Sequence, residues 1–307
     1  MNPVLTLNDL ASWSFSGTAL AVLGHPIAHS LSPPMHNAAL AELAKRDARF
    51  RDWRYFRFDV TPDDLPRALQ LLHEKKFFGL NLTVPHKIIA FDLIADTDPA
   101  ARPIGAVNTL VRTGRGWHGH NTDGYGLATA VRETLGRDLA GANIVLLGAG
   151  GAARGAAVEC LQQGCAALWI HNRTQKKITE LSVLLAGISE ISGKIPVHEL
   201  TPDSSFARVP ADALVINATS LGLHPDDPSP FDLEKLTQPA GVYDMIYNPP
   251  ETALLAQAWE LKIPRANGLS MLVHQGAKSL EIWTGAPAAK TAPVMRAAAE
   301  AALRGGV

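Results

Sequence analysis

The chain has 307 residues, of which 47% are apolar, and a formal net charge of −1. That length holds two ordinary domains, and the apolar share excludes disorder over most of it. The balanced charge, with no basic run interleaved with aromatics, argues against a nucleic-acid surface, and no uncharged apolar run is long enough to span a bilayer.

Strand and helix patterns alternate from the start. Residues 18–23 read as a strand ending in Gly24-His25-Pro26, and a helix is predicted over 32–45 with Ser32 as N-cap and Pro33 at its first position. A half-exposed strand follows over 53–60. Thr61-Pro62-Asp63-Asp64 combines cap, proline and first-turn acids, so a helix is expected from there to Lys76. Residues 80–84 form a strand broken by Pro85, and a helix runs from Lys87 to Ala95. Residues 106–112 and 116–120 read as a hairpin around Gly114, and a helix over 125–135 leads into the next unit. Further strands are predicted at 214–218 and 242–246, with a rigid loop at 223–230 and closing helices near 270–283 and 286–303. The fold class expected is α/β, with parallel sheets in two domains. The predicted boundaries are residues 1–122 with 268–307 for the first domain and 123–267 for the second.

Mid-chain, Asn143-Ile-Val-Leu-Leu147 reads as a buried strand that runs into Gly148, Gly150 and Ala153, a G-x-G-x-x-A turn opening a helix to Gln163. Glycines there let backbone amides approach a pyrophosphate, and the helix N-terminus favours its charge. The next apolar run, 166–170, ends in His171-Asn172-Arg173-Thr174-Gln175-Lys176-Lys177. An NAD site usually has an acidic residue about 20 residues past the glycines. Asn172 and Arg173 stand there instead, and a guanidinium suits a 2′-phosphate. Lys176 and Lys177 at a helix start oppose the macrodipole unless an anion sits beside them. The cofactor expected is NADP.

Cys160 and Cys165 lack C-x-x-C spacing and a histidine cluster, and they read as structural thiols of a reducing compartment. No basic segment followed by an apolar core opens the chain, so a cytoplasmic protein is expected. His25, His29 and His86 read as loop or surface imidazoles, and no metal site is expected.

Three polar clusters fall at strand-to-helix junctions. Ser30 and Ser32 border a helix start, itself an anion site, although Ser32 also serves as a plain cap. Asn81 and Thr83 share a strand face ahead of Lys87, a cation at a helix start. Asn108 and Asn121-Thr122-Asp123-Gly124 form the third, with Asp123 also readable as a simple cap.

The strings Gly24-His-Pro-Ile-Ala-His-Ser-Leu-Ser-Pro33, Asn81-Leu-Thr-Val-Pro-His-Lys87, Gly105-Ala-Val-Asn-Thr109 and Asn121-Thr-Asp-Gly124 occur in one order. Gly148-Ala-Gly-Gly-Ala-Ala-Arg154, Asn172-Arg-Thr174, Ile216-Asn-Ala-Thr-Ser220, Tyr243-Asp-Met-Ile-Tyr247 and Gly268-Leu-Ser-Met-Leu-Val-His-Gln275 follow in register. In this the chain resembles the shikimate dehydrogenase family, from Val22 to about Trp283. The resemblance implies NADP-linked reduction of 3-dehydroshikimate to shikimate in aromatic amino-acid biosynthesis. It implies a substrate carboxylate held by Ser30, Ser32 and Tyr247, with ring hydroxyls contacted by Thr83, Asn108, Gln275 and the catalytic pair Lys87 and Asp123. It implies NADP contacts from Ala149, Gly150, Gly151 and Ala152 beside Gly148, and 2′-phosphate contacts from Asn172, Arg173, Thr174 and Lys177. Thr219, Ser220 and Met245 are placed near the nicotinamide, and Gly268 and Met271 where the last strand meets its helix. Lys177 stands where the family often has arginine, so the charge stays and the bidentate fork is lost. His120 stands where an acidic residue is common.

The chemistry these residues support is hydride transfer from the cofactor, with the protein orienting the reactants and supplying acid. Lys87 is the proton donor and Asp123 its carboxylate partner; in reverse a neutral amine acts as base, so alkaline pH speeds oxidation of shikimate. Two rivals remain. An NAD-using quinate/shikimate dehydrogenase is opposed by Asn172-Arg173 and by Ser32, where quinate-accepting relatives tend to carry threonine. A non-catalytic NADP sensor has no need of a carboxylate and polyol site. The partners expected are a small-molecule substrate, no nucleic acid and no membrane, with monomer and homodimer both open.

Overall fold

The computed structural model describes residues 3–191, 194–201 and 204–305. Contacts divide it into two units, one built from the chain up to Thr122 and from Val273 onward, the other from Asp123–Leu272. The first unit runs α1 (Leu7–Ala11), β1 (Thr18–Gly24), α2 (Ser32–Ala44), β2 (Trp53–Asp59), α3 (Leu65–Glu74), β3 (Gly79–Leu82), α4 (His86–Leu93), β4 (Asp96–Thr97), β5 (Thr109–Thr113) and β6 (Gly116–His120). The second runs α5 (Asp123–Leu135), β7 (Asn143–Leu147), α6 (Gly151–Gln162), β8 (Ala167–His171), α7 (Gln175–Ile191), β9 (Val197–Leu200), β10 (Leu214–Asn217), β11 (Gly241–Asp244), α8 (Ala253–Glu260) and β12 (Arg265–Ala266). Two helices close the chain, α9 (Leu269–Thr284) and α10 (Ala288–Arg304).

The first sheet has the order β2-β1-β3-β5-β6-β4. Its β1, β2 and β3 are parallel, but β5 runs antiparallel to β3 and β6 antiparallel to β5. The hairpin expected around Gly114 is present as β5–β6, while the antiparallel pairing of β5 with β3 departs from the parallel sheet expected here. Thr113 pairs with Gly116 across a two-residue turn, and so short a link permits only antiparallel neighbours. Its core gathers Leu23, Phe58, Leu65, Leu69, Leu72 and Leu80. Leu65, Ala68, Leu69 and Leu72 are all buried on α3, the i, i+3, i+4, i+7 stripe of a helix with one apolar face. Each large side chain so buried contributes about 1.5–3 kcal/mol. Trp283 of α9 lies over Gly79, where a Cβ would come within 2.2 Å of the indole nitrogen, and α10 packs on α2.

The second sheet, β12-β11-β10-β7-β8-β9, is parallel at every pairing. Counted within the unit its order is 3-2-1-4-5-6 reading outward from the same reversal, the doubly wound arrangement, with the switch between β7 and β10.

Two helix starts differ from expectation. Leu31, not Ser32, is the N-cap of α2, in helical backbone and without a side-chain cap. The Thr61–Asp64 pair closes its own turn, with Thr61 Oγ1 donating to Asp64 Oδ2 at 2.9 Å, and α3 begins only at Leu65. The C-terminal return expected at 268 falls at Val273, inside α9. The first turn of α9 is tied to the second unit: Gly268 N–H donates to Ile246 O (2.9 Å) and Met271 N–H to the Tyr243 hydroxyl (3.2 Å).

Candidate active site

In the first unit, residues just beyond the carboxyl ends of β1 and β3 carry the polar groups, where open α/β sheets present ligands. Ser30 Oγ accepts from Ser32 N–H at 3.3 Å. Ser32 is buried and bonds the Tyr55 hydroxyl, a contact that partly offsets the desolvation pushing that phenol well above its ordinary range. The Tyr55 hydroxyl donates to Asn81 Oδ1 at 2.7 Å, and Asn81 Nδ2 donates to Asn108 O at 3.0 Å. Asn108 Nδ2 reaches Gln275 Oε1 at 3.4 Å and Thr122 Oγ1 at 3.0 Å, while its Oδ1 accepts from Thr122 N–H at 2.9 Å. Ser279 sits in the middle, 2.7 Å from Thr109 Oγ1 and 3.2 Å from Thr122 Oγ1. Ser30, Ser32, Asn108 and Gln275 thus belong to one continuous hydrogen-bonded chain, and buried polar groups so satisfied specify one arrangement.

Thr83 follows β3, and its carbonyl accepts from His86 N–H at 2.8 Å to open α4. Lys87, half-buried, is the second residue of that helix, and its carbonyl accepts from Val107 N–H at 3.0 Å. The backbone of Lys87 is therefore fastened one residue from Asn108, whose side chain fixes Thr122, the neighbour of Asp123 in the chain. Asp123 is the first residue of α5. Gly124 after it lies against the Glu159 side chain, whose carboxylate would have to move for a Cβ there, 1.9 Å from Oε2. His86 is not a surface imidazole as expected. It is fully buried with Nε2 on Val60 O at 2.8 Å, and burial lowers its pKa.

In the second unit, Gly148 turns with φ +113°, and a Cβ there would meet Ala218 O at 3.1 Å. Gly150 caps α6, and an added Cβ would meet no protein atom within 4 Å. Ala149 is half-buried between them, and Gly151 and Ala152 are exposed in the first turn of α6. This open glycine cradle at a helix N-terminus fits a dinucleotide pyrophosphate. Asn172 follows β8, its Nδ2 donating to Thr174 O at 3.3 Å. Arg173 is exposed, with no ion-pair partner among the described residues, and Lys177 lies in the first turn of α7. Lys176 stands 3.9 Å from Glu180, and both are exposed, a pair of little energetic weight.

Thr219 and Ser220 follow β10. The Thr219 N–H and hydroxyl both donate to Asn217 Oδ1, at 3.0 and 2.8 Å. Asn217 Nδ2 donates in turn to the buried Asp244, whose pKa is raised by desolvation against bonds from Thr252, Ile246 N–H and Asn217. Met245 N–H donates to Asn217 O at 3.0 Å. Gly268 allows a close approach, because a Cβ there would sit 2.0 Å from Met245 O. Tyr247 follows β11, with its phenol pushed up by burial, and Met271 is buried in α9. Sequence reasoning missed Tyr55, Thr109, Ser279, Asn217 and Asp244. Thr109, Asn217 and Asp244 stand within the motif strings, whereas Tyr55 and Ser279 lie outside them and find their partners on other elements.

The shikimate dehydrogenase substrate binding domain matches residues 22–110, and the shikimate 5′-dehydrogenase C-terminal domain matches residues 268–300. Shikimate dehydrogenase (NADP(+)) of Moorella thermoacetica is 43% identical over 93% of this chain and 95% of its own length. The shikimate 5-dehydrogenase of Thermus thermophilus, solved with NADP(H) and shikimate, superposes with a TM-score of 0.77 at 33% identity, covering 93% of this chain and 99% of that one. A ligand-free 5-ketofructose reductase of Gluconobacter sp. strain CHM43 gives 0.78 at 32% identity, covering 92% and 99%. Identity of this level over nearly the whole length, together with both domain matches, decides the question: the chain belongs to the shikimate dehydrogenase family.

Proposed function

We propose that the protein catalyses the reversible, NADP-linked reduction of 3-dehydroshikimate to shikimate, with Lys87 and Asp123 handling the proton. The observation that carries this reading is the tie between Lys87 O and Val107 N–H, next in the chain to Asn108, whose side chain fixes Thr122 ahead of Asp123. Lys87 donates the proton to the developing alkoxide, and Asp123 orients the ammonium. Ser30, Ser32 and Tyr247 take the substrate carboxylate, and Thr83, Asn108 and Gln275 the ring hydroxyls. The hydride comes from the bound nicotinamide. Gly148, Ala149, Gly150, Gly151 and Ala152 hold the pyrophosphate, and Asn172, Arg173, Thr174 and Lys177 hold the 2′-phosphate. Thr219, Ser220, Met245, Gly268 and Met271 line the nicotinamide end. The unit of residues up to Thr122 with the chain from Val273 onward serves as the substrate domain, and Asp123–Leu272 as the Rossmann-type NADP domain. Cys160 and Cys165 are free and buried, which fits a reducing, cytoplasmic setting.

Oxidation of shikimate followed by absorbance, with NADP and NAD crossed against shikimate and quinate, tests this. Turnover restricted to shikimate with NADP is the expected result, and no NADP-linked turnover of shikimate would sink the proposal. Reduction of 5-ketofructose is a further arm, given the fold shared with that reductase. Arg173→Ala raises KM for NADP and leaves KM for NAD nearly unchanged; equal losses for both would contradict the 2′-phosphate assignment.

A further inference from the structure

At the outer edge of the first sheet, β4 pairs in parallel with β6, with Asp96 opposite His118 and Thr97 opposite Gly119. The pairing continues one residue further, where Asp98 N–H donates to Gly119 O at 2.8 Å. His118 and His120 are two apart on one strand, as Asp96 and Asp98 are on the other, so all four side chains face the same side. Trp117 and Gly119 face the interior, where a Cβ on Gly119 would meet Ile94 at 2.4 Å. The four polar groups are therefore a built feature of the sheet edge.

We infer that Asp98, His118 and His120 form a binding site for a first-row divalent cation, Zn2+ first among them. Each residue offers a ligand atom, and these atoms lie within 4.8 Å of one another. His120 Nδ1 and Asp98 Oδ2 are 3.5 Å apart, too long for a good hydrogen bond. It is close to the edge of a zinc tetrahedron, about 3.4 Å for bonds near 2.05 Å. The two imidazole rings stand 4.6 Å apart, tilted by 66°. Asp96 Oδ2 lies 2.8 Å from His118 Nδ1, which leaves Nε2 for the metal. A carboxylate on the far nitrogen is the usual outer support of a metal-bound histidine.

The charges agree with this assignment. Two neutral imidazoles, two carboxylates and one divalent cation sum to zero. Three protein ligands leave a fourth position for water. Two imidazoles with one carboxylate suit zinc better than magnesium or calcium, which prefer oxygen. The site adjoins the substrate region through the backbone, because His120 O accepts from Asn108 N–H at 3.0 Å. A bound cation would clip the end of β6 beside that asparagine. The inference stands independently of the proposed reaction.

The test uses full-length, tag-free protein stripped with a chelator, titrated calorimetrically with Zn2+ and, in parallel, with Co2+ followed by visible absorbance. One equivalent of saturable Zn2+ binding, and the intense d–d bands of four-coordinate cobalt, are expected. His118→Gln and His120→Gln each remove both signals, Asp96→Asn weakens binding about 10–100-fold, and His25→Gln, elsewhere on the molecule, changes neither. Absence of saturable binding to the unaltered protein overturns the inference, as does an unchanged isotherm in His120→Gln or loss of binding in His25→Gln. Should a histidine variant lose its native circular dichroism, Asp98→Asn replaces it under the same criteria.

Discussion

Asn108 uses both ends of its amide on protein groups, and so holds Thr122, Gln275 and the carboxyl end of β3 in one register. Lys87 hangs from the adjacent peptide, which restricts the reach of its ammonium without engaging it through the backbone. Lys87→Ala is expected to lower kcat by roughly 10²–10⁴ while KM changes much less. Steady-state kinetics decide, and a near-normal kcat would remove Lys87 from the chemistry. His36 supplies a different test. It is fully buried, stacked on Tyr55 at 4.2 Å, and burial lowers its pKa to about 3. The unfolded chain therefore takes up this proton near pH 6.5 while the fold resists it. Stability supplied by the neutral ring is complete above about 6.5 and drains away as pH falls toward 3, on the order of 5 kcal/mol across that window. Urea unfolding of the protein and of His36→Leu at pH 7 and pH 4.5 reads this. The difference in stability between the two pH values should be smaller in the variant, and identical differences would clear His36 of the effect.

Among the elements, the junctions after β10 and β11 are held by the buried Asn217–Asp244 pair, and α9 begins where its backbone nearly touches Met245. Gly268→Ala pushes a methyl group against a carbonyl oxygen 2.0 Å away. Overpacking of this kind costs about 1–3 kcal/mol, measurable as a lower denaturation midpoint, and an unchanged midpoint would show that α9 shifts freely. The start of α2 teaches a related lesson. Ser32 followed by two prolines spells a capped helix, yet the backbone turns helical one residue earlier and the Ser32 hydroxyl is taken by Tyr55. That helix start is itself buried, and the phenol beside Ser32 lies on β2, so no local pattern reveals it. Thr61-Pro62-Asp63-Asp64 failed more mildly, because its cap closes a turn that α3 then continues.

For the whole molecule, two cores of separate composition serve the two units, and the proposed function assigns one ligand to each unit. Hydrogen exchange should show NADP protecting amides at 148–152 and 172–177, and shikimate those at 30–32 and 81–87. The reverse pattern would refute the domain roles.

The strand-turn-helix of the second unit, the order of the polar clusters and the family were all legible in the residues alone. Each is carried by positions close together in the chain, such as the glycines of the turn between β7 and α6 and the polar residues that follow each strand. The antiparallel junction of β3 with β5, the burial of His86, and the network through Tyr55, Thr109 and Ser279 were not legible there. Nor did any local pattern put Asp98 beside His118 and His120. Those features depend on partners far apart in the chain, up to 198 positions for Asn81 and Ser279, and sheet register, which emerges only on folding, selects the side chains that each strand finds opposite it.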